Sequence, residues 1–164
     1  MSSEVRIGLV AEGITDFEVI HAVVKAMLID RPFVLTLLQP EGSIAFAGQG
    51  AAGDTGGGWR GVYHWTLLLL KRAGKLSDDA ALFLGHDVFI MHLDADVAGE
   101  DPANDAINPI PAMGGVLPCE EKCPPPSATT DRLRKVMLDW LGEGATPPSG
   151  LSHPKLRVES SLCR

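Results

Sequence analysis

The sequence predicts an α/β protein with a mostly parallel, Rossmann-like central sheet and helices on both faces. Three observations lead there. Short apolar runs at residues 5–11, 33–40 and 88–93 have the composition of buried strands. The segments between them include stretches with apolar residues at the helical period. Acids stand where two of the runs end: Glu12 after the first, Asp94 and Asp96 after the third. In open α/β sheets, ligands are held at the carboxyl ends of strands.

The elements follow in order. "VRIGLVA" is the first strand. Thr15 is expected to cap the next helix, with Glu18 completing a capping box and Ile14 and Val19 forming a hydrophobic staple. Ile20, Val23, Val24, Met27 and Leu28 form its core-facing stripe, and "DRP" ends it before "FVLTLLQP" begins a second strand. Residues 41–58 are glycine-rich and read as a flexible loop; with no GK[ST] they make a poor nucleotide cradle. A helix over 59–72 turns Val62, Thr66, Leu69 and Leu70 to one side. The third strand follows at 88–93. Residues 97–127 are a long connection rich in proline and glycine, and such connections are often functional. Ser127 or Thr129 opens a last helix with the stripe Leu133, Val136, Met137, Trp140 and Leu141, closed by Gly142. "LRVES" is expected to be a short final strand.

At 164 residues the chain is read as a single domain, 1–164, able to bury a core. A net charge of -7 argues against a surface that coats nucleic acid. No N-terminal segment reads as a signal peptide, and "WTLLLL" is stopped by Lys71 and Arg72 before reaching membrane-spanning length. A cytoplasmic protein with no membrane association is therefore expected. Cys119, Cys123 and Cys163, an odd number, fit reduced thiols. With His153 they form too loose a spacing for a zinc site.

Period-two alternation puts His92, Asp94 and Asp96 on one side, provided the extended conformation persists that far. With Glu12 from a neighbouring strand they make a negative cluster. Unpaired, it would repel itself. A hard divalent cation relieves that cost, and oxygen ligands favour Mg²⁺ or Mn²⁺ over zinc. The competing reading is that such acids are turn and cap residues. His92 is expected to be hydrogen-bonded in place, the alternative being a metal neighbour or proton shuttle.

The conjunction of "AEGITD" at a strand–helix junction with "HLDADV" after a later strand resembles the Toprim domain. The likeness extends to small bacterial Toprim-like proteins and the overcoming-lysogenisation-defect nucleases. "GGGWRGV" and the cysteine-proline segment around "LPCEEKCPPPS" add to it, so it covers residues 5 to about 142. What the resemblance implies is a Toprim fold and a Mg²⁺- or Mn²⁺-dependent nuclease acting on DNA or RNA. Asp94 and Asp96 would be metal ligands, and Glu12 a ligand or general acid/base. Asp16 is a further ligand candidate, as is Glu159 in "HPKLRVESSLCR". The resemblance implies relatives that continue past this point with a helix, so the sequence is read either as a fragment or as a C-terminally short member. A role in defence against phage is an analogy from the family alone.

The basic groups Lys71, Arg72, Lys75 and Arg132, Arg134, Lys135 are small, which implies that substrate is held partly by a partner protein, an ATPase for instance, or by a second subunit. A non-catalytic metal-binding regulatory module working with such a partner is the alternative function. Strand passage is disfavoured, because the single tyrosine, Tyr63, lies in a helical pattern. A phosphatase using Asp94 as nucleophile lacks a lysine-bearing partner motif and leaves EGxTD unexplained.

Overall fold

The computed structural model describes residues 4–40, 57–97 and 127–144, and the backbone of 157–160. The fold is α/β. Four strands, β1 (Val5–Val10), β2 (Phe33–Gln39), β3 (Val88–Leu93) and β4 (Arg157–Ser160), form one sheet in the order β2-β1-β3-β4. All three pairings are parallel. The helices are α1 (Ile14–Met27), α2 (Gly58–Ala73), α3 (Ala80–Gly85) and α4 (Ser127–Trp140), with 3₁₀ turns at Leu76–Asp78 and Ala95–Val97.

The strand order explains the layering. From β1 the chain steps outward to β2, then returns past β1 to β3 and β4. Right-handed crossovers in opposite directions place their helices on opposite faces. Accordingly α1 covers one face, where Val24 packs on Val5 and Ile7 with Ile20, Leu28, Phe33, Val88 and Ile90 around them. The other face carries the larger core. There Phe89, Met91 and Leu93 meet Trp59, Val62 and Leu69 of α2 and Leu133, Met137 and Trp140 of α4. β3 shows the asymmetry residue by residue: Phe89, Met91 and Leu93 are buried, whereas Val88, Ile90 and His92 are half-buried.

Several expectations change. Gly13, not Thr15, is the N-cap of α1, and the third helical residue, Asp16, accepts the Gly13 N–H at 2.9 Å. Glu18 takes no part in that cap, and the Ile14–Val19 staple is displaced with it, both side chains being exposed. Only one edge of the α1 stripe is covered, since Val23 and Met27 also face outward. Helix α3 and the turn before it had no periodic signal; Asp79 creates the helix, accepting the Leu82 N–H at 3.1 Å. Gly57 caps α2 and Gly58 begins it, while 41–56 and 98–126 of the two expected loops lie outside the described residues. The cysteines also lie outside them.

Other elements match closely. β3 spans the expected residues, and every member of the α4 stripe is buried. Gly142 ends α4 at φ +74° in a Schellman arrangement. Its N–H bonds Asp139 O at 3.0 Å, and the Glu143 N–H bonds Leu138 O at 2.9 Å. Among the described residues, no helix is long and apolar enough to cross a membrane.

Candidate functional site

Strand order reverses between β1 and β3, and the crevice at such a switch point is where α/β sheets bind ligands. Val10 stands level with Met91 across this pair. The two chains therefore leave the sheet side by side, one through Glu12 and the other through Asp94. Glu12 Oε1 accepts the Asp94 backbone N–H at 2.7 Å, tying the two exits together.

The amino end of α2 closes the corner. The Gly58 N–H donates to Glu12 O at 3.0 Å. Gly58 has φ +64°, a conformation that side-chain-bearing residues rarely adopt, and a β-carbon there would approach Glu12 Oε2 to 4.0 Å. The amino ends of α1 and α2 both favour negative charge here.

Burial nevertheless dominates at Glu12. It pushes the carboxyl from its ordinary 4.5 up to about 7, assisted by the negative charges of Asp94, Asp16 and Asp96 and opposed by the Asp94 N–H hydrogen bond. A carboxyl so placed is half-protonated near neutrality and can both accept and donate a proton.

Beside it is a donor set. One carboxylate oxygen each from Asp16 and Asp94 and one ring nitrogen of His92 all lie within 4.8 Å of one another. Asp16 reaches the group from the first turn of α1, and His92 from the last full turn of the β3 pleat on the α1 side. Two carboxylates and an imidazole at this spacing can hold a divalent cation. His92 differs from the expected hydrogen-bonded core histidine. Among the described residues its Nδ1 is buried without a hydrogen-bond partner, and its Nε2 stands 3.7 Å from Asp94 Oδ1, beyond hydrogen-bonding length.

The structure thus brings Glu12, Asp16 and Asp94 together. Asp96 stands apart from the three-residue group. The strand stops at Leu93 and the chain turns into the 3₁₀ turn, so the alternation that would align Asp96 with Asp94 is lost. Asp96 is exposed there and acts on Glu12 through its charge. Glu159 lies at the β4 register position paired with His92, one strand over from the cluster. His92 is the residue whose part sequence reasoning underrated. Its signal was present, because alternation already placed it on the face of Asp94.

Comparison of the chain with family models, with curated proteins and with solved structures finds no match.

Proposed function

We propose that the chain is a Toprim-like, Mg²⁺- or Mn²⁺-dependent phosphodiester hydrolase acting on DNA or RNA. The observation that supports this most directly is the Asp16–His92–Asp94 donor set, within 4.8 Å, adjoining the half-buried Glu12 carboxyl. The fold supports it too, since the cluster lies at the carboxyl ends of adjacent parallel strands.

Asp16 and Asp94 would hold the cation, with Asp96 adding negative charge at the rim and Glu159 a candidate for a further ligand. A bound divalent cation neutralises phosphate charge and makes water a stronger nucleophile. Glu12 exchanges the proton. Its Oε1 is anchored by the Asp94 N–H, which leaves Oε2 to take a proton from the attacking water or return one to the leaving oxygen.

The test is cleavage of mixed DNA and RNA substrates with Mg²⁺ or Mn²⁺, alongside calorimetric metal binding, for wild type, Glu12→Gln and Asp94→Asn. Glu12→Gln should lose roughly 10²- to 10⁴-fold in rate while still binding metal, and Asp94→Asn should lose both. Binding without cleavage by the wild type would replace the hydrolase with a metal-binding regulatory module. No binding would reduce these acids to turn and cap residues.

A further inference from the structure

We infer that His92 is itself a ligand of the cation and that it makes the centre select a first-row transition-metal dication over Mg²⁺. The inference rests on the metal-site reading above and deepens it. An all-oxygen site would treat Mn²⁺ and Mg²⁺ much alike, because carboxylates suit both, whereas imidazole nitrogen favours transition ions.

Two independent observations carry it. The first is geometric: a ring nitrogen of His92 shares the 4.8 Å group with oxygens of Asp16, at the start of α1, and Asp94, just after β3. The second concerns the ring alone. A neutral imidazole has one donor and one acceptor nitrogen, and a buried ring ordinarily finds partners for both. The nitrogen that faces Asp94, Nε2, makes no hydrogen bond among the described residues and stands 3.7 Å from Asp94 Oδ1, while no hydrogen bond to Nδ1 fixes the ring in another direction. That gap is too long for a hydrogen bond, yet it matches two ligands converging on one ion.

Its position restrains the ring. His92 continues the row Val88, Ile90 on the α1 side of β3, its side chain 13% exposed. Its backbone pairs with Glu159 of β4, and the preceding residue, Met91, pairs with Val10 of β1. Asp16 is fixed in turn by the Gly13 N–H. These two ligands sit on rigid elements, which favours a defined coordination geometry over loose ion capture.

The test uses the full chain with Mn²⁺ and Mg²⁺ as probes. Wild type should bind Mn²⁺ more tightly than Mg²⁺ by calorimetry. His92→Gln, which keeps the side-chain bulk, should weaken Mn²⁺ roughly tenfold or more while changing Mg²⁺ less than about threefold. Pulsed electron paramagnetic resonance of the Mn²⁺-loaded wild type should show ¹⁴N modulation from a coordinated imidazole, absent in His92→Gln. That spectrum on the wild type decides the matter even where a variant folds poorly. Mn²⁺ bound without ¹⁴N modulation, or an unchanged Mn²⁺:Mg²⁺ ratio in the variant, overturns this inference and leaves the acidic centre standing. Failure of wild type to bind either ion overturns both.

Discussion

Glu12 Oε1 and the Asp94 backbone N–H are joined by a 2.7 Å hydrogen bond that spans 82 positions of sequence. The bond holds the ends of two adjacent strands at one spacing. It also fixes a carboxyl, already resisting ionisation, among three other acids.

Glu12 should therefore cost stability in alkaline buffer. Its folded value, about 7, lies above the ordinary 4.5. The folded state thus holds this proton more firmly than the unfolded chain does, and the favourable contribution is complete below about 4.5 and lost as pH rises through about 7. Glu12→Gln removes the titration while keeping an oxygen for the Asp94 N–H. In metal-free urea unfolding, the variant should gain on the order of 1–2 kcal/mol over wild type at about pH 8 relative to about pH 4, discounted for partial solvent screening. An identical difference at both pH values would contradict the burial argument.

Asp16 has two jobs that substitution can separate. Asp16→Asn retains an oxygen for the Gly13 N–H but loses the charge, so the melting temperature should hardly move while Mn²⁺ affinity falls at least about tenfold. Asp16→Ala should lose both, with a stability cost of about 1 kcal/mol for the missing cap. Equal metal binding by Asp16→Asn and wild type would assign Asp16 to capping alone.

Away from the site, Asp79 is the most consequential acid. It is 2% exposed, accepts the Leu82 N–H at the start of α3 and receives both Nε and a terminal nitrogen of Arg72. Asp79→Ala should cost about 1–2 kcal/mol, since it removes a cap and the partner of a half-exposed guanidinium. Arg72 is 57% exposed. Denaturant titrations that rank Arg72→Met as costlier than Asp79→Ala would show that the pair, and not the cap, organises this segment.

Among the described glycines, Gly142 is the one least able to accept a side chain. At φ +74°, an added β-carbon would meet the Gly74 backbone oxygen at 2.8 Å and Lys75 Cβ at 2.9 Å. The left-handed conformation alone costs roughly 1–2 kcal/mol for an alanine, and backbone contacts cannot yield cheaply. Gly142→Ala should lose at least about 2 kcal/mol in equilibrium unfolding; a loss under about 0.5 kcal/mol would mean the α4 terminus reforms another way.

Periodic elements were legible because their signal is local and repeated. β3 read directly from a continuous apolar run and the α4 stripe from 3.6-residue spacing, and the acids at strand ends followed from where those runs stop. The capping of α1 was not, since Thr15 and Gly13 are both acceptable caps and backbone dihedrals choose between them. Nor was α3, whose six residues are too few to show a period.

The sequence by itself determined an α/β chain with carboxylates at two strand ends, because strand propensity, helical period and residue identity are properties of neighbours. Only the tertiary structure decided that β1 and β3 are adjacent, that Glu12 bonds the Asp94 backbone, and that the chain turns after Leu93 and carries Asp96 away from Asp94. It likewise placed a ring nitrogen of His92 within 4.8 Å of oxygens of two acids. Those outcomes depend on strand order and on burial, which sum contacts between residues far apart in the chain, and no local pattern contains that sum.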